Sequence, residues 1–324
     1  MIIKWGIIGC GDVCEVKSGP AFYKCEGSAL RAVMRRNKEK AADFAKRHSV
    51  PVYYSNVDDL LNDPEIDAVY IATPPASHCD LTIRSLQAGK PVYVEKPMAV
   101  DYSECLLMNK AAKENNQKLW VAYYRRSLPY FLKVKELLDK NTIGKVLIVK
   151  NEFLRPALLS DKKGKIQTWR VDKEIAGGGY FYDMASHTID IFLFLFGKIT
   201  HAKGVVSNRG NYYDVEDTVS VSFIFESGIV GSGVWCYVSP ENIEKDHIEI
   251  IGEKGTIQFS TFSFSPIELR TNYQTETFSF ERPEHIQQDM ILAITDELNG
   301  KGEAPSTGES GAMTNWVIDQ IFEH

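Results

Sequence analysis

Lys4-Trp-Gly-Ile-Ile8 runs without a spacer into Gly9-Cys-Gly-Asp-Val-Cys14, and this junction decides the fold of the 324-residue chain. The first five residues have strand character, and the stretch after the glycines has helical character. Two glycines let the turn tighten and let a pyrophosphate approach the backbone at a helix N-terminus. Gly9 and Gly11, with Asp12 and Val13 opening the helix, are therefore the expected nucleotide-binding residues. A glycine pair alone also makes a plain tight turn. Its position directly after the first strand and before a helix favours the dinucleotide reading. The third place of the pattern, commonly Gly or Ala, holds Cys14, which is small enough for helix–strand packing but departs from the fingerprint.

The alternation continues. Strands are expected at 4–8, 29–34, 68–72, 92–94 and 119–122, with helical patterns at 41–48, 58–61, 77–88 and 102–115. This predicts an α/β fold with a Rossmann-type, doubly wound parallel sheet over residues 1–122. After Tyr123 the pattern changes. A helix is expected at 128–140, a long strand at 145–154, and a helix at 181–196 after Gly177-Gly-Gly179. Strands follow at 201–206, 218–225, 228–238, 247–251 and 255–260, the last pairs separated by the hairpin-like turns Glu226-Ser-Gly228 and Glu253-Lys-Gly255. Helices at 287–298 and 312–322 close the chain. Residues 123–324 are thus predicted to form an α+β domain with a mainly antiparallel open sheet.

Composition narrows the function classes. Hydrophobic content of 44% and charged content of 25% describe an ordinary globular protein. A net charge of -6 supplies no electrostatic reason for a nucleic-acid or anionic-membrane partner. No stretch reaches the roughly 20 apolar residues of a membrane span. The N-terminus enters a strand at once, so secretion by the usual signal is not expected. The six cysteines, at 10, 14, 25, 79, 105 and 236, contain no CxxC pair. They read as buried free thiols of a cytoplasmic protein, with no metal site.

Three spots carry chemistry. Val33-Met-Arg35-Arg36 ends the second strand without an acidic residue for a ribose 2′-hydroxyl. Two guanidinium groups there suit a 2′-phosphate, favouring NADP over NAD, unless both are solvated surface arginines. Pro91-Val-Tyr-Val-Glu95-Lys96-Pro97 puts a lysine at the end of an apolar strand, where ligands bind in open α/β sheets. Lysine is seldom buried without a partner or a task. Pro97 disfavours a helix at Lys96 and permits a cis bond; the plainer reading is a solvated Glu95–Lys96 loop pair. In Gly177-Gly-Gly-Tyr-Phe-Tyr-Asp183-Met-Ala-Ser-His187-Thr-Ile-Asp190, Asp183 and His187 are four apart and share a helix face. A carboxylate beside an imidazole fixes its tautomer and suits general acid–base work, although a structural ion pair would look the same.

Gly9-x-Gly11, Thr73-Pro-Pro-Ala-Ser-His78, Glu95-Lys96-Pro97 and the Gly-Gly-Gly…Asp183…His187…Asp190 segment occur in one order. Together they resemble the Gfo/Idh/MocA oxidoreductases, the glucose–fructose oxidoreductase and inositol dehydrogenase group, almost end to end. The Arg35-Arg36 strand end is similar to the NADP-using dihydrodiol dehydrogenase and 1,5-anhydrofructose reductase subgroups. The resemblance implies hydride transfer to or from a sugar-like small molecule. It implies that Lys96 contacts the reacting oxygen and the nicotinamide ribose, and that Asp183 and His187 form the acid–base pair. Thr73, Pro74, His78 and Glu95 would line the dinucleotide site. Tyr124, Arg125, Trp169 and Arg170 would face the substrate, with loops such as 156–168 shaping its pocket. It further implies a homodimer or homotetramer through the C-terminal sheet. Two other classes share the architecture: an NADP-sensing regulator without turnover, and a glycosidase that oxidises transiently with tightly held NAD. Lys96, Asp183 and His187 argue against the sensor.

Overall fold

The computed structural model describes residues 1–162 and 168–323. They form two compact units, Met1–Leu128 with Pro283–Ala312, and Pro129–Arg282 with the residues from Met313 on.

In the first unit the strands are β1 (Ile3–Ile8), β2 (Ser28–Met34), β3 (Val52–Tyr54), β4 (Ala68–Ile71), β5 (Val92–Val94) and β6 (Leu119–Val121). They are all parallel, in the order β3-β2-β1-β4-β5-β6. This is the doubly wound Rossmann order expected from the alternation. β3 escapes the sequence pattern because it has three residues and none is fully buried.

A parallel sheet needs cover on both faces. One face, with Ile8, Met34, Ile71, Val94 and Val121, packs into an aliphatic core with Leu86, Met98 and Met108. The other side carries an aromatic stack: Trp5, Phe22, Tyr70 and Tyr93, with successive ring centroids 5.0, 5.1 and 5.1 Å apart. Segment 283–312 joins this side. Its helix Gln288–Leu298 buries Met290, Ile291 and Ile294, and Glu297 accepts the Trp120 indole N–H at 2.9 Å. Ser306 then extends the sheet edge by accepting the Val121 N–H at 3.1 Å. The single boundary expected after residue 122 is therefore replaced by crossings at 128/129, 282/283 and 312/313. Residues 1–122 do not by themselves supply all the cover for their own sheet.

The second unit holds β7 (Val146–Pro156), β8 (Ile199–Ser207), β9 (Thr218–Phe225), β10 (Val230–Ser239), β11 (Lys245–Gly252), β12 (Gly255–Phe259), β13 (Ile267–Thr271) and β14 (Thr275–Phe278). Their order is β14-β13-β12-β11-β7-β10-β9-β8. Every neighbouring pair is antiparallel except β7 and β10. Strict alternation of buried and exposed residues along β9 leaves one face for a core with Phe223, Trp235 and Ile250. The outer face exposes Val205, Ile224, Val230 and Val234. Among the described residues no helix is long and apolar enough to cross a membrane, and no group of three metal-ligating side chains occurs. None of the six cysteines is in a disulfide, and five are buried.

The helix Asp12–Val16 is tied to the helix Lys38–Arg47 by one carboxylate. Glu15 accepts two guanidinium N–H groups of Arg47 at 2.6 and 2.8 Å and lies 3.0 Å from His48 Nε2. The Arg47 hydrogen bonds lead the causes that hold the Glu15 carboxyl down at about 2. A folded-state value below the unfolded one gives stability that is complete above about 4.5 and is lost as pH falls towards 2. In melting scans, Glu15→Gln is expected to lose less of its melting temperature than the parent across that window. Parallel curves would remove the ion pair from the acid response.

Candidate active site

The expected site residues of the first unit, nucleotide-binding and substrate-binding alike, fall at one kind of place. Gly9–Val13 follow β1, Arg35 and Arg36 follow β2, and Thr73–His78 follow β4. Glu95–Pro97 follow β5, and Tyr124 and Arg125 lie just beyond β6. All are carboxyl ends of parallel strands, where open α/β sheets bind ligands.

The two glycines of the turn are there for different reasons. Gly9 has φ +90, and a Cβ would stand 2.6 Å from Thr73 Cγ2 and 3.1 Å from the Ala72 backbone. The fold itself requires glycine there. Gly11 has an extended backbone (φ -106, ψ -159) that any residue adopts, and its Cβ would meet nothing nearer than the Gly9 carbonyl at 3.8 Å. Internal packing leaves Gly11 unexplained, and it could serve a ligand that approaches the backbone closely. Arg35 reaches back over this turn, donating from Nη1 to the Cys10 carbonyl at 3.3 Å, while Arg36 is exposed. Cys10 and Cys14 are fully buried. Burial pushes the Cys10 thiol up to about 11, which makes it unreactive.

His78 is completely buried. Its Nδ1 lies 3.0 Å from the Pro97 carbonyl and its Nε2 lies 2.7 Å from the Thr73 carbonyl. Burial lowers its pKa, against the opposing pull of those carbonyls. The ring therefore ties the loop after β4 to the loop after β5, so any part it has at the nucleotide site is support of these loops. Thr73 Oγ1 accepts from Ser77 Oγ at 2.8 Å, and Pro74 is partly exposed beside it. Lys96 is partly exposed and precedes a cis peptide bond to Pro97. Its N–H donates to Glu95 Oε2 at 3.1 Å. Glu95 is buried, so the solvated Glu95–Lys96 pair is excluded. Tyr124 and Arg125 are also buried, with the guanidinium 5.1 Å above the Tyr124 ring.

In the second unit, Gly177 ends the short helix Lys173–Ala176 at φ +80. A Cβ on Gly178 would fall 2.0 Å from the Tyr182 ring, so the turn must be bare there. Phe181–Ala185 then winds as a π-turn before the α-helix Ser186–Phe196. Asp183 and His187 thus straddle a change of pitch and do not lie on one regular α-helical face. Asp183 Oδ2 accepts from Arg170 Nε at 3.0 Å, and the Arg170 guanidinium lies 4.4 Å over the Trp169 ring. His187 is 5% exposed, and its ring meets Phe262 edge-on at 5.7 Å. Asp246 fixes that neighbour: its carboxylate accepts the N–H groups of Thr261, Phe262 and Ser263 at 2.9, 2.6 and 2.8 Å. Neither Phe262 nor Asp246 is foreseeable from the motifs. Of the loop expected to shape the pocket, residues 163–167 lie outside the described residues.

The contrast between the glycines is testable. Gly9→Ala is expected to cost about 1–3 kcal/mol of stability through strain and crowding. Gly11→Ala should stay within about 0.5 kcal/mol of the parent yet weaken dinucleotide binding by about tenfold or more in a fluorescence titration. Equal stability losses in the two variants would refute the assignment of Gly11 to a ligand.

Residues 3–123 match the Gfo/Idh/MocA model for an oxidoreductase family with an NAD-binding Rossmann fold, and residues 131–258 match the Gfo/Idh/MocA C-terminal domain. Oxidoreductase P35 of Formosa agariphila is 42% identical, over 98% of this chain and 97% of its own length. Trans-1,2-dihydrobenzene-1,2-diol dehydrogenase of Danio rerio is 30% identical, over 90% of this chain and 84% of its own. The structure of levoglucosan dehydrogenase in complex with NADH and levoglucosan has a TM-score of 0.85 at 24% identity, covering 98% of this chain and 96% of that one. The last similarity speaks to the fold. The chain belongs to the Gfo/Idh/MocA family of oxidoreductases, and its first unit is that family's NAD-binding Rossmann fold.

Proposed function

We propose that this oxidoreductase acts on a secondary alcohol or carbonyl of a sugar, polyol or related small molecule, using NADP in preference to NAD. The observation that carries the reading is the convergence of Gly11, Arg35, Thr73 and Lys96 on the carboxyl ends of neighbouring parallel strands. Support for the substrate class comes from the relative named for dehydrogenation of a diol. The exposed Arg36 beside Arg35, with no carboxylate at the end of β2, supports the 2′-phosphate.

When bound, the dinucleotide would supply the hydride chemistry. The glycine turn and the first residues of the helix, Asp12 and Val13, would hold the pyrophosphate through backbone N–H groups. Lys96 donates a hydrogen bond to the substrate oxygen as negative charge develops on it. His187 takes the hydroxyl proton during oxidation and returns it during reduction, with Asp183 as its orienting carboxylate. Arg170, Trp169, Tyr124 and Arg125 orient the substrate.

Aldoses, inositols, ketoses and dihydrodiols screened separately with NADP and NAD test this. At least one is expected to change absorbance at 340 nm, faster with NADP. His187→Ala should then lower kcat by about 100-fold or more while NADP affinity is kept within about threefold. Binding without reaction on any compound would favour a sensor, and sugar release without net absorbance change a glycosidase.

We also infer a homo-oligomer formed through the outer face of the β7–β10 region. Its exposed Ile224 and Val230, paired across β9 and β10, together with Val234, lie among Lys150, Glu152 and the serines of the same face, a surface that a second copy would cover. Light scattering is expected to give a multiple of the 36.5 kDa protomer. A monomer at micromolar concentration would overturn it.

A further inference from the structure

Residue 287 comes close to the Lys96 strand end through a buried hydrogen-bond network, although 192 positions separate it from Glu95. Gln287 is 1% exposed and Glu95 is 7% exposed. Gln287 Nε2 donates to Glu95 Oε1 at 2.6 Å, and Gln287 Oε1 accepts from the Tyr93 hydroxyl at 2.9 Å. A carboxylate only accepts, so the amide orientation is fixed: nitrogen to Glu95, oxygen to Tyr93. The Tyr70 hydroxyl is a second donor to Glu95 Oε1, beside the Gln287 amide, at 2.5 Å. Burial first, and then the Glu95 charge, push both phenol pKa values up, so both hydroxyls stay protonated donors. The other carboxylate oxygen, Oε2, is turned to the Lys96 N–H at 3.1 Å.

The same short segment also grips the end of the nucleotide helix. The Gln287 N–H donates to the Lys17 carbonyl at 3.3 Å. His285 Nδ1 lies 2.7 Å from the Val16 carbonyl, and its Nε2 faces Lys24 Nζ at 2.5 Å. A protonated lysine has only donors, so His285 Nε2 accepts and Nδ1–H donates to Val16. Ser18 closes the circuit, 3.1 Å from the Tyr70 hydroxyl and 3.2 Å from the Val13 carbonyl.

We infer that Gln287 is a positioning residue of the active site, acting through Glu95 on the backbone of Lys96. A buried carboxylate is costly and contributes little net stability compared with an apolar side chain. Its retention at this strand end is explained if it holds the peptide that carries Lys96. This inference rests on the proposed part of Lys96 in the reaction.

Gln287→Glu is the decisive variant. It puts a second carboxylate where an amide donates, and two such groups must share a proton to stay together. With NADP and the best substrate from the screen, kcat at pH 8.5 is expected to fall about tenfold or more. It should recover as pH is lowered, while the KM for NADP stays within about threefold. The double variant Glu95→Gln/Gln287→Glu reverses donor and acceptor and leaves an oxygen for the Lys96 N–H. It should restore kcat at pH 8.5 to within about threefold of the parent. Gln287→Met, which keeps the length without a donor, covers the case in which Gln287→Glu does not fold. It too should lose kcat more than KM.

A parent-like pH profile for Gln287→Glu, or variants that lose only melting temperature, would overturn the inference. Lys96→Met run alongside separates the two readings. If it keeps its turnover, the role of Lys96 falls and that of Gln287 with it. If it is inactive while both Gln287 variants keep parental kcat, only the role of Gln287 falls.

Discussion

The nucleotide-binding unit is arranged around a charge that it keeps out of water. Glu95 stands at the end of β5 with 7% of its surface exposed, and an ionised carboxylate in that position costs several kcal/mol unless donors meet it. No single stretch of chain provides them. Tyr70 comes from β4, Gln287 from the segment that returns late in the sequence, and the third donor is the N–H of Lys96 itself. This requirement explains why two of the aromatic residues on that side of the sheet are tyrosines. Phenylalanine would fill the stack equally well but would leave the carboxylate and the Gln287 amide oxygen without hydroxyl donors.

It also gives the return of residues 283–312 a chemical purpose beyond covering the sheet. Apolar cover alone could come from many helices with the face that Gln288–Leu298 presents. The residues just before that helix are more specific. His285 and Gln287 spend their polar atoms on the Val16 and Lys17 carbonyls, on Lys24 and on Glu95. The end of the helix Asp12–Val16 and the Lys96 strand end are thereby held to one short segment, and a shift in either must disturb the same hydrogen bonds.

Most of the architecture was legible in the sequence because parallel strands are short apolar runs ended by turn residues. The glycine turn, the strand ends and the β9–β10 and β11–β12 hairpins all sit in that pattern. β3, β13 and β14 were not legible: three to five residues, with only Ile267 and Leu269 of them buried, give too few positions for alternation to show. The helix 288–298 was found, but an amphipathic pattern says only that one face is buried, not which sheet buries it. The same limit applies to the site. Gly9, Lys96, Asp183 and His187 announce themselves by local spacing, whereas Gln287, Phe262 and Asp246 gain their meaning from contacts across the fold. The π-turn at Phe181–Ala185 is invisible for another reason: the four-residue interval between Asp183 and His187 reads identically whether or not the helix widens there.

The second unit secures its key side chain by a different means from the first. His187 is wedged in a packed environment, with Phe262 against its ring and Thr188 next to it, 3.1 Å from Thr261. The loop that brings Phe262 and Thr261 is pinned by the three N–H groups on Asp246, so the imidazole's place is set by a charge that never touches it. Asp183, by contrast, shares its carboxylate with Arg170, an exposed residue stacked on Trp169. The unit therefore combines a rigid position for the imidazole with a rim whose arginine and tryptophan can differ in placement at small energetic cost, since exposed ion pairs contribute little. Under the proposed function, such a scaffold would hold the group assigned to proton transfer in place independently of the Arg170 and Trp169 rim.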